Sequence, residues 1–480
     1  MKDSVYETVI GLEVHVQLST RTKIFCACPT AFGANPNSQV CPVCLGLPGV
    51  LPVLNKKVFE YSIKVALALG CEVQRKVKFD RKNYYYPDLP KNYQISQYDM
   101  PIAYNGEVKI ELEDGSPKRI GITRAHMEED AGKLLHDPAK GLSYVDLNRT
   151  GTPLLEIVSD PDLRSPEEAY RYLVTLKRIV KYLRVSDCNM EEGSLRCDAN
   201  ISLRKKGTEA LGTKVEIKNL NSFKAVRDSL FFEEERQRDL LDSGGEVIQE
   251  TRLWNDEKSA SESMRAKEQA HDYRYFPDPD LVPFEVEASL IEEIRSSMPE
   301  APSERKERMS GQFALNENDT DFLVSERSIA DLFERTAEIY KEPQAVCNWI
   351  KGEVMKHAKE RNSDIDELAL APEALADIIR MEKEGILSGL AAKEVLAEHI
   401  AGGKGPKHIV EEKGLEQVSD ENELEDIVQS VINDNEQSVG DYRSGKVNAL
   451  SFLVGQVMKR TKGKANPKLA GEMLLKKIKG

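Results

Sequence analysis

The chain has 480 residues, 40% of them apolar and 31% charged, with 30 glycines and 22 prolines. That length suits about three domains of roughly 150 residues each and a sizeable core, and it excludes a small single module, a disordered chain and a collagen-like repeat. The formal charge of −14 at pH 7 argues against nonspecific binding of long polyanions, while a local basic face for a folded RNA stays open. Nothing in MKDSVYETVIGLEVHV reads as a secretory leader, and nowhere do about 18 apolar residues run without a charge. The expectation is a cytoplasmic protein with no membrane contact.

From residue 5 to about 290, short alternating runs separated by Gly, Pro and Asn-rich turns predict strands interrupted by helices, an α+β region. The first strand, Gly11–Leu18, points Leu12, Val14, Val16 and Leu18 to one face and Glu13, His15 and Gln17 to the other. A carboxylate and an imidazole thus share a face. Next come Cys26, Cys28, Cys41 and Cys44, a C-x-C and a C-x-x-C separated by twelve residues. Two close thiol pairs on bent, Gly/Pro-rich segments suit one tetrahedral zinc ion, and four protein ligands leave no open position, so such an ion holds a loop and does no chemistry. A redox pair or chance buried thiols are the alternatives. With eight cysteines in the whole chain, a disulfide scaffold is not expected.

A helix is predicted over Val58–Leu69. The loop Asp80–Pro87 offers cations, an amide and three tyrosines, suited either to stacking on a nucleotide or RNA end or to a packed tyrosine corner. The strand Ile122–Asp130 aligns Arg124, His126, Glu128 and Asp130 on one face, with Thr123, Ala125, Met127 and Glu129 opposite. This polar face and that of Glu13 either close around a magnesium ion, which favours carboxylate oxygens, or face solvent. Ser165 and Pro166 open a helix to Leu183 whose apolar positions Ala169, Leu173, Leu176, Val180 and Leu183 form one stripe. Beyond it, Arg196, Asp198, Asn200 and Ser202, then Lys214, Glu216 and Lys218, alternate along two strands. They either neutralise phosphate oxygens or form cross-strand ion pairs.

Composition shifts towards Ala, Leu, Glu and Lys near Ser296–Ser303, and Ala401–Pro406 is too rich in Gly and Pro for an element interior. Three domains are expected: 1–295, 296–404 and 405–480, the last two helical. In the tail, Asp420 and Glu423 form a capping box and Asn466–Pro467 starts a last helix. From Asp441 onward ten Lys or Arg stand against two acids, a solvated helix surface or a contact for an RNA backbone. No phosphate-binding loop of the G-x-x-x-x-G-K-[ST] kind occurs, nor a serine-nucleophile amidase stretch. If nitrogen is transferred, another chain must release it.

The strings ETVIGLEVHVQL, FDRKNYYYPDLPKNYQISQYDMPI, RAHMEEDAGK, DLNRTGTPLLEIVSDPD and MEEGSLRCDANISLR closely resemble the B-subunit family of tRNA-dependent amidotransferases. KVEIKNLNSF, DYRYFPDPDLVP, NEQSVGDYRSGK and ANPKLAG continue the likeness over essentially the whole chain. The resemblance implies a cradle with a glutamine synthetase-like core, a helical middle domain and a tRNA-binding tail. It implies a ligase reaction in which ATP phosphorylates the side-chain carboxylate of Glu-tRNA(Gln) or Asp-tRNA(Asn), and ammonia displaces the phosphate. Family metal positions carry over onto Glu13, His15, Glu128 and Glu156, with Glu13, Glu128 and Glu156 as magnesium ligands. His15 is an unusual ligand for so hard a cation and equally a hydrogen-bonding neighbour. Residue type and place make Arg196 and Lys218 candidates for ATP or acyl-phosphate contact, with Lys82 a weaker one.

Family members without the cysteine quartet imply that zinc stabilises here and does not catalyse. The implied partners are an amidase-like chain, the A subunit, which releases ammonia from glutamine, and a small third chain, the C subunit. Two other readings compete: a zinc-stapled tRNA-binding scaffold with no catalytic centre, and a free-standing ATP-dependent ligase using dissolved ammonia.

Overall fold

The computed structural model describes residues 5–264, 273–417, 421–461 and 465–479, without the side chains of 421–423 and 479. The capping box expected at Asp420 lies outside the described residues. The chain divides into two compact units, Met1–Ala301 and Pro302–Gly480. The first is rich in strands and the second helical, an α+β chain. Among the described residues no helix is long and apolar enough to cross a membrane.

In chain order the first unit opens with β1 (Tyr6–Gln17), helix α1 (Lys56–Ala68), β2 (Glu72–Val73), β3 (Lys76–Val77), β4 (Asp80–Asn83) and β5 (Tyr93–Ser96). Then come β6 (Ala103–Glu111), β7 (Pro117–Glu129), β8 (Lys133–Asp137), β9 (Leu142–Asp146) and β10 (Pro153–Ser159). Helix α2 (Pro166–Tyr182), β11 (Leu195–Lys205), β12 (Val215–Lys218), helix α3 (Phe223–Asp242), β13 (Glu250–Asn255) and β14 (Ala260–Ser263) follow. Nine strands make one sheet in the order β14-β13-β12-β11-β1-β10-β7-β6-β2. It is antiparallel except where β12 meets β13. The segment 80–87, expected as a loop, begins as strand β4 paired with β5.

One face of this sheet is the core. Val14, Val16, Leu155, Ile157, Ala125 and Met127 are buried together with Leu173, Leu176 and Val180 of α2, Val226 and Leu230 of α3, and Ile63 of α1. Removing each such large side chain from water contributes about 1.5–3 kcal/mol, which ties the helices to that face. The apolar stripe of α2 is the one its spacing predicts. Ser165 caps it, accepting from the Glu168 N–H at 3.2 Å, while the Glu168 carboxylate accepts from the Arg164 N–H at 2.7 Å.

Between β10 and β7 the alternation breaks. Val158 and Ser159 of β10 pair with Arg124 and Ile122, leaving Thr123 as an extra residue on β7. On the neighbouring strand Asn105 sits at φ 54°, a left-handed conformation that Asn tolerates. Such a bulge reverses parity: Ile120 and Ile122 face the core before it, and Ala125 and Met127 after it. Thr123, expected on the same face as Ala125 and Met127, is instead exposed.

The second unit carries two separate hydrophobic cores. One runs from Met309 to Val410 and the other from Leu424 to Ile478. Gly403, in the left-handed conformation, ends one helix, and Pro406 at a first-turn position starts the next, Pro406–Lys413. Ile409 and Val410 of that helix still pack into the former core, which therefore continues past the Gly/Pro-rich break at 402–406.

Candidate active site

Backbone register alone assembles the centre of the polar face. On β1, β10 and β7, His15 stands opposite Glu156 and Glu156 opposite His126, and Arg196 of β11 faces His15 from the other side. Directly opposed residues share a face, so these four form a row across the sheet. Glu128, two residues beyond His126, points the same way. His126 Nε2 lies 3.1 Å from Glu156 Oε2 and 3.8 Å from Glu128 Oε2. His15 Nε2 lies 3.4 Å from Glu156 Oε2 and 3.7 Å from Glu128 Oε1. Each imidazole thus touches both carboxylates.

Burial alone penalises every charge in this cluster. The partners outweigh it. Burial opposes the charge of His126, but Glu156 and Glu128 raise its pKa to about 9, and they also raise that of His15. Against the same burial, the hydrogen bond and charge of the imidazoles hold Glu128 below the usual carboxylate range and Glu156 well below it. Glu13 behaves differently: burial first, then the Glu156 charge, pushes its carboxyl upward, although Asn200 Nδ2 donates to its Oε1 at 3.0 Å.

One ligand atom each from His15, Glu128 and Glu156 lies within 4.8 Å of the others, a separation that a single cation can span. Two ionised carboxylates give the oxygens that a hard divalent ion prefers, and three protein ligands leave positions open for phosphate or water. The donor set fits magnesium, with the imidazole its least typical member. Glu13 stands outside this group among the described residues. His126 was not singled out from the sequence, although its place two residues before Glu128 on an alternating strand carried the signal. Its buried Nδ1 has no hydrogen-bond partner among the described residues.

The three cationic candidates separate. Arg196 Nη2 donates to Asp130 Oδ1 at 2.9 Å, and Lys218 Nζ lies 3.2 Å from both Asp198 Oδ2 and Glu216 Oε1. Lys82 is half-buried, its ammonium 4.9 Å from the Tyr273 ring and 5.9 Å from that of Tyr84. Burial opposes its charge, but Glu128 and Glu156 raise its pKa above the ordinary value. Residue type ranked Lys82 last, yet both central carboxylates act on it. In the same segment Tyr84 packs edge-on against Tyr273, while Tyr85 and Tyr86 are exposed.

The four cysteines also converge. One sulfur each from Cys26, Cys28, Cys41 and Cys44 lies within 4.8 Å of the rest, and all four are free thiols. The Cys41 N–H donates to Cys44 Sγ at 3.1 Å, and the buried Lys23 ammonium lies 3.7 Å from it. A hydrogen bond from Cys26 lowers the Cys44 thiol against the effect of burial, and Lys23 adds to the lowering. The donor set is that of a closed structural zinc site. Its loop is stapled to the segment that leads into β10: Asn37 Nδ2 donates to Val145 O at 2.9 Å and Asn37 Oδ1 accepts from the Leu147 N–H at 2.8 Å. The Gln39 N–H donates to Asn148 Oδ1 at 2.8 Å.

A cluster of carboxylates and imidazoles on a sheet in one unit, with a helical second unit, defines a two-part protein. Residues 8–292 match the GatB/GatE catalytic domain and residues 331–478 the GatB domain. The chain belongs to the GatB family of amidotransferase B subunits, which places it in an enzyme of the carbon–nitrogen ligase type. It is 55% identical to the B subunit of the aspartyl/glutamyl-tRNA(Asn/Gln) amidotransferase of Caldanaerobacter subterraneus subsp. tengcongensis over 473 residues, covering 98% of this chain and 99% of the relative. The protein of the same name from Carboxydothermus hydrogenoformans is 55% identical over 476 residues, covering 98% and 99%. That of Moorella thermoacetica is 54% identical over 475 residues, covering 98% and 100%.

Proposed function

We propose that this chain carries the carboxylate-activating centre of a tRNA-dependent amidotransferase. A misacylated Glu-tRNA(Gln) or Asp-tRNA(Asn) presents its side-chain carboxylate to the polar face, ATP phosphorylates it, and ammonia displaces the phosphate to give the amide. Activation is needed because an ionised carboxylate repels nucleophiles and has no leaving group, and the acyl phosphate supplies one. The names of the relatives support the substrates. The observation that carries the reading is the position of Glu128 and Glu156 between two imidazoles, His15 of β1 and His126 of β7, on the strands that flank β10.

In this reading His15 and His126 keep both carboxylates ionised and oriented, and Glu13 borders them. Glu128, Glu156 and His15 would hold a magnesium ion, whose charge offsets that of the phosphates when it is bound. Lys82 offsets charge on the transferred phosphoryl group, with Arg196 and Lys218 at the margin beside their acidic partners. The strand-built cradle follows glutamine synthetase, an enzyme with the same acyl-phosphate logic. Zinc on Cys26, Cys28, Cys41 and Cys44 holds the loop. The tail at 405–480, basic from Asp441 onward, takes the tRNA. Because the sequence has no amidase nucleophile, ammonia comes from glutamine through the amidase-like A subunit, with the small C subunit completing a cytoplasmic complex. A sheltered passage keeps it from protonation in bulk water.

The test is ADP formation by the assembled complex on purified Glu-tRNA(Gln) and Asp-tRNA(Asn), wild type against Glu128→Gln, with tRNA binding measured in parallel. The expected result is a fall of about 100-fold or more in ADP formation with tRNA affinity intact. ADP formation near the wild-type rate overturns the site and leaves the tRNA-binding scaffold as the better description.

A further inference from the structure

The bulge at Thr123 turns Arg124 onto the polar face. Its nearest neighbour along the strand on that face is His126, about 7 Å away at two residues' rise. Across the sheet it stands opposite Val158 of β10 and Tyr104 of β6, so no acidic residue opposes it. The contrast with the other cations of this face is one of pairing. Arg196 holds Asp130, and Lys218 holds Asp198 and Glu216. Among the described residues no carboxylate lies within ion-pair distance of the Arg124 guanidinium, and its buried Nε has no hydrogen-bond partner. A buried donor left unpaired costs free energy, and a bound anion removes that cost.

We propose that Arg124 is the anion-holding residue of this face and that its planar fork takes the oxygens of a phosphoryl group, the geometry a guanidinium matches best. The proposal rests on the acyl-phosphate reading above and adds to Lys82 a second, bidentate contact for phosphate. The bulge is then functional: without the extra residue the alternation of β7 would turn residue 124 towards the core.

The experiment uses the assembled complex with Arg124→Met, Arg124→Lys and Glu128→Gln beside wild type. ADP formation is followed against ATP concentration at saturating misacylated tRNA, inorganic phosphate is titrated as an inhibitor, and tRNA binding is measured separately. Arg124→Met should lower kcat/KM for ATP about 100-fold with tRNA affinity unchanged, and Arg124→Lys should recover part of the loss, about tenfold. Weaker phosphate inhibition in Arg124→Met assigns the contact to the transferred group. Unchanged phosphate inhibition with a raised KM for ATP assigns it to the phosphates left on the nucleotide. Arg124→Met within about threefold of wild type in kcat/KM, or Arg124→Lys no better than Arg124→Met, overturns the proposal. A fully active Glu128→Gln overturns the parent reading instead, so the two failures are distinguishable.

Discussion

In the carboxylate–imidazole row, every side chain is delivered by a strand with hydrogen-bonded neighbours on both sides: β1 lies between β10 and β11, β10 between β1 and β7, and β7 between β10 and β6. The cysteine quartet hangs instead on turns. The bridge from Thr22 to Pro29 and the bonds from Lys23 N to Cys28 O and from Leu45 N to Cys41 O, both 3.0 Å, are the kind of local contact that shapes it. The difference teaches where each site obtains its precision. Strand register sets the row before any ligand arrives, as catalysis by positioning requires. Under the proposed zinc reading, the quartet would gain rigidity from a bound ion, because its thiolates sit on turns.

The sharpest way to break this comparison is Glu156→Gln, which removes the carboxylate nearer to both imidazoles from a site the backbone already holds. ADP formation by the complex should fall about 100- to 1,000-fold, while the thermal midpoint stays near that of the wild type. A collapse of the midpoint would make the row a structural staple, no different in kind from the quartet. The quartet should respond in the opposite way. Cys41→Ser, or zinc removal with a chelator, should cost about 3 kcal/mol, a fall in midpoint of roughly 5 °C for a unit of this size. Hydrogen exchange should rise across residues 26–50 and stay slow in β1, β7 and β10. Equal loss of protection in the sheet would show that the row depends on the ion as well.

How much of this was legible depended on whether the information is local. The alternation of Glu13, His15 and Gln17 against Leu12, Val14 and Val16 is local, and β1 has those faces. The cysteine spacing is local too. Glu156 lies in TPLLEIV, where Leu154, Leu155 and Ile157 are all buried. A strand buried on both faces shows no alternation, so only the family resemblance placed it. The opposition of Glu156 to His126 is a register between strands separated in sequence, which is why His126, although placed on the polar face of its strand, could not be matched to Glu156. For the same reason spacing leaves Arg196 and Lys218 open between phosphate contact and ion pairing, and only the fold brings Asp130 and Asp198 beside them. The bulge at Thr123 was hidden because an extra residue is extra only relative to a partner strand.

A smaller effect tests whether the bulged region needs the close packing it has. At Gly106 on β6, an added Cβ would lie 2.3 Å from Cys71 Sγ and 2.7 Å from Leu69 O. Gly106→Ala should cost about 1–3 kcal/mol by overpacking, read as a lower denaturant midpoint with an unchanged slope. If the strand shifts to relieve the clash, ADP formation should fall too, because β6 flanks the strand that carries His126 and Glu128.

The smallest effect is expected at Ser165, whose hydroxyl caps α2 on the apolar side of the sheet. Ser165→Ala leaves the Glu168 N–H without its acceptor and should cost about 1 kcal/mol, or roughly 1–2 °C. The reciprocal bond from the Arg164 N–H to the Glu168 carboxylate remains, which keeps the loss at the low end. ADP formation should not change, because the stripe of Ala169, Leu173, Leu176 and Val180 stays packed on the core face. The row on the opposite face is set by strand register, which the cap does not touch. A loss of activity larger than the loss of stability accounts for would mean that the helical layer, through the sheet, also sets the positions of His15, Glu128 and Glu156.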